Sequence, residues 1–261
     1  MLIVISPAKS LDFSPVELTP TEPRFRDEAM RLARTARNLT LGDLKRLMSL
    51  SDDLARLNRD RFRAFAEDPD GDAVKPAVLA FNGDTYQGLD ARSMDAETRD
   101  VAQARLRILS GLYGVLRPLD AIQPHRLEMG TRLKTRRGGS LYDFWGDRVA
   151  KALRAEAEAL GTDTVLNCAS QEYFAVADRP ALGLRVVTPR FLEEKDGSRK
   201  MVSFFAKRAR GALARWVLDH RVTDPAALSG FDLGGYRLDP RESAPEAPVF
   251  VRPYPDPARA A

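Results

Sequence analysis

The chain opens on Met1-Leu2-Ile3-Val4-Ile5, an apolar run that passes directly into Ser6-Pro7-Ala8-Lys9-Ser10-Leu11-Asp12. A continuous apolar run has no polar face to offer water, so as a strand it must be covered on both sides. Helices packed on a partly parallel sheet do this, which makes the fold class α/β, of a mixed α+β kind in a single compact domain. Ligands of such sheets sit beyond the carboxyl ends of the strands, where the polar groups of Ser6 to Asp12 fall. The run has no basic leader and is far shorter than the ~7 to 15 residues of a signal-peptide core. No segment approaches the ~18 apolar residues of a membrane span. A cytoplasmic protein is the expectation, and the lone cysteine, Cys168, leaves no internal disulfide and no CxxC pair.

Apolar periodicity predicts helices over Phe25 to Leu39, Leu41 to Leu50 and Asp52 to Phe65, the last capped by Ser51. A second strand is expected at Pro76 to Phe81. A helix is expected from Asp95 to about Leu109, broken by the tight turn Gly111 to Pro118 between helical pieces. Ser140 caps a helix through Leu160, and Thr164 to Leu166 reads as a third strand ending in Asn167 to Tyr173. Leu184 to Phe191 and Met201 to Phe205 flank a hairpin at Lys195 to Ser198, a helix runs over Ala206 to His220, and Val249 to Arg252 is a last strand before a frayed tail at 253–261.

Formal net charge is only +4, but it is segregated. Residues 103–137 hold eight cations against Asp120 and Glu128, a net of +6, and 199–221 hold seven against Asp219, again +6, which leaves the remainder at −8. That distribution suits one basic face toward a polyanion, with solvated helix faces as the plain alternative. The Gly111 to Pro118 turn would leave backbone N–H groups free for phosphate, with Arg107, Arg117 and Arg126 beside it and Tyr113 placed to stack on a base. An ordinary helix–helix turn and half-buried packing explain the same residues. Lys207, Arg208 and Arg210 open a helix after a strand, where mutual repulsion asks for an anion.

Lys9 and Asp12 after the first strand, with Ser170 and Glu172 after the third, would share a pocket if those strands are neighbours. They are the candidate catalytic residues: lysine for phosphate or as a base, the carboxylates for acid/base work, with turn capping the alternative for Asp12 and Ser170. His125 and His220 stand apart from other soft ligands, so no metal site and no cofactor are expected.

Several stretches together resemble the peroxide stress protein YaaA family: Ile5 to Asp12, Phe81-Asn82-Gly83-Asp84-Thr85-Tyr86-Gln87-Gly88-Leu89, Leu109 to Asp120, Arg126-Leu127-Glu128-Met129-Gly130, Leu141 to Gly146 and Ala206 to Gly211. The resemblance runs in order from residue 1 to about 252. It implies a cytoplasmic bacterial protein that limits oxidative damage, linked to free intracellular iron. It also implies a mixed α/β fold with a helix-hairpin-helix element and a basic cleft for duplex or distorted DNA. Carried over, the cleft residues are Lys9, Tyr113, Arg117, Arg126, Lys207, Arg208 and Arg210. The chain departs from the family at His125, where tyrosine is usual, at Asn82, where lysine is usual, and at Cys168, where an aliphatic is usual. DNA binding without strong sequence preference is the leading expectation. An enzyme acting on a nucleotide or other phosphorylated small molecule is the rival, motivated by carboxylates that a mere phosphate grip would not need.

Overall fold

The computed structural model describes residues 1–255. Leu2–Ile5 is the central strand of a five-stranded sheet, and its four side chains are wholly buried, each stabilising the fold by roughly 2 kcal/mol. Leu106–Ser110 runs parallel on one flank and Thr164–Cys168 parallel on the other, with Ile5 opposite both Ile108 and Cys168. Gly114–Leu116 adds an antiparallel edge to the first flank and Arg185–Val187 a parallel edge to the second. Because the chain returns on both sides of its first strand, the carboxyl ends of Leu2–Ile5 and Thr164–Cys168 open side by side.

A second sheet of four strands, Ser198–Lys200, Arg190–Lys195, Val249–Pro253 and Arg237–Leu238, packs on the aromatic group Phe191, Phe231, Tyr236 and Phe250. Helix Ser203–Asp219 lies against both sheets and crosses helix Asp84–Leu89. The crossing requires glycine on each side. A Cβ on Gly211 would stand 1.8 Å from the Thr85 carbonyl oxygen, and one on Gly88 would stand 2.0 Å from that of Arg208.

The first three helices form as expected, at Arg26–Arg37, Leu41–Met48 and Asp52–Ala64, with a Thr40/Asp43 capping box and a Ser51 cap. Elsewhere tertiary burial overrides local pattern. Leu106–Ser110, the expected end of a helix, is a strand buried at every position, because helix Ala96–Arg105 stops where the chain enters the sheet. The helix-hairpin-helix expected there is therefore absent, and residues 106–116 form a strand–turn–strand hairpin. Pro76 to Phe81 is a single helical turn, Ala77–Ala80, whose first N–H groups donate to the Asp120 and Pro118 carbonyls. The helix expected through Leu160 divides at Gly146 into Leu141–Trp145 and Arg148–Ala159. The 184–191 segment supplies strands to two different sheets. The last helix begins at Ser203, so Lys207 lies inside it rather than at its start. Of the expected tail, Pro253 ends a strand and the Tyr254 N–H donates to the Glu194 carbonyl at 2.8 Å; 256–261 lie outside the described residues.

Candidate functional site

At the open carboxyl ends of the first and Thr164–Cys168 strands lies a cavity of about 410 Å³. Its walls come from four parts of the chain: Ser6 to Ser10, Asn82 to Tyr86, Cys168 to Tyr173, and Lys207 with Arg210, while Glu128 closes a corner. Three cations (Lys9, Lys207, Arg210) and three carboxylates (Asp84, Glu128, Glu172) line it. The expected cleft of basic residues is thus a chamber of both signs. Its volume suits a nucleotide-sized group and excludes a duplex.

The floor is tied down by short polar contacts. The Ser170 N–H donates to Ser6 Oγ at 2.9 Å, and Ser170 Oγ caps the turn Gln171–Phe174 by accepting from the Tyr173 N–H. Tyr86 Oη donates to the Ser6 carbonyl at 3.2 Å. Burial raises the Tyr86 and Tyr173 hydroxyls above the usual phenol range and pushes the Cys168 thiol up to about 12, so all three are neutral at neutral pH.

The carboxylates are held unequally. Glu172 Oε1 accepts from the Gly130 N–H at 2.9 Å. Glu128 Oε1 accepts from Arg126 Nε at 2.9 Å and lies 3.6 Å from Lys9 Nζ, while its Oε2 is buried with no partner. Asp84 forms no ion pair among the described residues. On the cationic side, Lys207 and Arg208 are exposed and Arg210 is half-buried, and none of the three meets a carboxylate among the described residues. Burial lowers the Arg210 guanidinium from its usual value, and its side-chain neighbour is the Met201 sulfur at 4.0 Å.

Lys9, Ser170 and Glu172 therefore share one pocket, as the neighbouring strands require, and Lys207 and Arg210 join them from the far end of the sequence. Asp12 lies elsewhere: hydrogen bonding from Ser14 first, then Lys75 at 3.5 Å and the Arg92 guanidinium at 2.7 Å, hold it well below the usual carboxylate range. Arg107 is buried, pairs with Glu156, and donates to the Gln103, Ala104 and Leu106 carbonyls. Tyr113 is buried and its hydroxyl accepts from the Gln123 N–H at 3.1 Å, so it offers no ring face for stacking. The Gly111 to Pro118 turn is internally satisfied: the Tyr113 N–H reaches Ser110 Oγ and the Gly111 carbonyl accepts from Trp145 Nε1. Gly114, at φ +70°, lies against the Trp145 ring where a Cβ would collide. Arg117 binds Asp120 at 3.3 Å beside Arg24 and Glu156, away from the cavity. Arg126 reaches the cavity only through Glu128. His125 is no phosphate donor: burial holds its imidazole neutral, with a pKa lowered to about 4, and Nδ1 sits 2.8 Å from the Gln123 carbonyl.

Sequence reasoning passed over Asp84, Tyr86 and Tyr173 as site residues. The only local signal was the Asn82-Gly83-Asp84 break after a short apolar segment. No helix of the described residues is long and apolar enough to cross a membrane, and no cluster of three metal-ligating side chains occurs among them.

Comparison with known proteins adds the family. A UPF0246 protein of Ruegeria pomeroyi is 65% identical over 254 residues, covering 97% of this chain and 99% of that protein. One of Roseobacter denitrificans is 63% identical over 257 residues, covering 98% and 99%. One of Dinoroseobacter shibae is 57% identical over 264 residues, covering 100% and 98%. The family model described as peroxide stress protein YaaA matches residues 1–242, and with relatives this similar along their whole length the chain belongs to the peroxide stress protein YaaA family, also named UPF0246.

Proposed function

We propose that this protein protects the cell during peroxide stress by binding DNA through phosphate contacts from Lys9, Lys207, Arg208 and Arg210, in the cytoplasm and with little sequence specificity. The observation that carries the reading is Arg210. A half-buried guanidinium facing a cavity without a carboxylate partner has paid a desolvation cost that an anionic ligand would recover. Lys207 and Arg208 extend that cationic edge to the surface, where a backbone too wide for the cavity would run. The family's peroxide-stress role fits a protein acting on DNA, and its link to free iron would be met by shielding DNA.

Fluorescence anisotropy against a labelled duplex tests this. Affinity should fall steeply with salt, and Lys207→Ala with Arg208→Ala should flatten the log–log salt slope by about 1.8, from roughly 0.9 per lost phosphate contact. Salt-insensitive binding, or a double variant that binds like wild type, would remove the proposal.

A second reading rests on Glu128 Oε2, buried and unpartnered beside Lys9. An enzyme acting on a nucleotide or phosphorylated small molecule would use it as a general base, with Glu172 and Ser170 near and the cations on phosphate. Turnover of a nucleotide panel that is lost in Glu128→Gln, with duplex affinity intact, would favour this reading. A silent panel would count against it.

A further inference from the structure

Just outside the cavity the last helix carries an aromatic surface that the phosphate contacts leave unused. Phe204 is 51% exposed and Met201 58% exposed, more than any other large hydrophobic side chain among the described residues. Phe204 also has an aromatic neighbour, its ring being tilted 38° to that of Phe205. Behind it lies Phe205, with ring centroids 3.9 Å apart; behind Phe205 the Arg252 guanidinium sits 4.3 Å from its ring; and behind that the Tyr236 ring lies 4.4 Å from the same guanidinium. Arg252 Nε donates to the buried Glu193 carboxylate at 3.3 Å, and Tyr254 meets Phe205 edge-on at 5.9 Å. The result is a chain of contacts, Tyr236, Arg252, Phe205, Phe204, that starts in the second sheet and ends in an exposed aromatic ring.

The charges around that face decide what it suits. Lys207 and Arg208 stand three and four residues after Phe204, on the same side of the helix, exposed and without ion pairs among the described residues. A protein partner that buried Phe204 would also bury these two cations. A single nucleic-acid strand supplies what each group needs: a base for the aromatic face and phosphates for the cations beside it. Duplex DNA keeps its base faces stacked inside and offers only the phosphates.

We infer that Phe204, exposed beside Lys207 and Arg208, is a base-stacking platform for unpaired nucleotides, so that this helix distinguishes single-stranded or opened DNA from intact duplex. The inference rests on the DNA-binding reading and adds to it a residue that touches bases instead of phosphate. It would direct the protein to stretches where strands have separated.

The experiment measures the full-length protein by anisotropy against a labelled thymidine oligomer and against a labelled duplex. Phe204→Ala should weaken oligomer binding roughly tenfold and duplex binding less than about twofold, as loss of one stacked base requires. Phe204→Trp should keep oligomer affinity, and its added emission, beyond that of Trp145 and Trp216, should be quenched by the oligomer and not by the duplex. Equal affinity of Phe204→Ala and wild type for the oligomer overturns the platform, as does an equal loss on both nucleic acids. If wild type shows salt-sensitive binding to duplex in the same series, only the platform falls; if it binds neither nucleic acid, the DNA reading falls first. Sedimentation supplies the other overturning outcome: a wild-type dimer that Phe204→Ala converts to monomer makes this face a contact between copies.

Discussion

Residues 103–137 and 199–221 carry the same formal excess of +6, but only the second brings cations without a carboxylate partner to the wall of the cavity. In the first stretch Arg107 meets Glu156, Arg117 meets Asp120, Arg126 meets Glu128 and Arg137 meets Glu28, two of these carboxylates coming from distant parts of the chain, and the cations without an ion pair among the described residues, Arg105, Arg132, Lys134 and Arg136, lie outside the cavity. In the second, Arg199, Arg215 and Arg221 are answered likewise, but Lys200, Lys207, Arg208 and Arg210 are not, and of these Lys207 and Arg210 line the cavity. A paired guanidinium is close to neutral at a distance, so a ligand anion is drawn to the shorter, uncompensated group. Charge counted along a sequence locates cations. Only the fold decides which of them remain free.

The largest expected effect tests the structural side of this contrast. Arg107→Ala removes a buried cation from Glu156 and leaves three carbonyl groups without their donor. A loss of about 3 kcal/mol in urea unfolding is expected, with duplex affinity per folded molecule unchanged. A variant of normal stability that no longer binds DNA would reverse the comparison.

His125 gives the next effect, through pH. Its folded pKa of about 4 lies below the ordinary value of roughly 6.5, so the unfolded chain takes up a proton first as pH falls. The neutral, buried imidazole contributes fully above about pH 6.5. That contribution is lost progressively between there and pH 4, to a total of about 3 kcal/mol. His125→Tyr should flatten the fall when urea midpoints are compared at pH 7 and pH 4.5. An unchanged slope would mean that the acid sensitivity lies in other groups.

Gly211→Ala acts on the second stretch from beneath. A Cβ 1.8 Å from the Thr85 carbonyl oxygen must push the two crossing helices apart, at a cost of about 2 kcal/mol. Because those helices carry Asp84 on one side of the cavity and Lys207 with Arg210 on the other, duplex affinity should fall as well. Loss of stability with unaltered affinity would detach the cavity from binding.

Much of this arrangement was legible before any coordinates. An apolar run with no polar face required a doubly covered strand, and Lys9, Ser170 and Glu172 were expected together only if their strands are neighbours, which the fold supplies. What failed did so where two periods compete over few residues. Leu106 to Ser110 continues the apolar pattern of the preceding helix, and five residues cannot distinguish a helical turn from a buried strand. From that error followed the hairpin between helices and a phosphate role for the Gly111 turn, whose glycines instead admit Trp145 and the Leu127 carbonyl. Asp12 failed for another reason: Arg92 and Lys75, which draw it from the cavity, are about eighty and sixty residues away, and nothing local announces them.

The smallest stability effect is the most discriminating. Lys207→Ala with Arg208→Ala removes two exposed cations that hold no partner among the described residues, so the urea midpoint should move by no more than about 0.5 kcal/mol. Arg117→Ala removes a half-exposed cation from the buried carboxylate of Asp120, which still accepts from Thr21 and from the backbone of residue 117, so it should cost about 1 to 2 kcal/mol. In duplex binding the order should invert, with the double variant losing affinity and salt dependence and Arg117→Ala keeping both. Measured on the same preparations, the two variants separate stability from binding in opposite directions. If both lose affinity in proportion to charge removed, the DNA senses net charge alone and the contrast between paired and unpaired cations does not govern recognition.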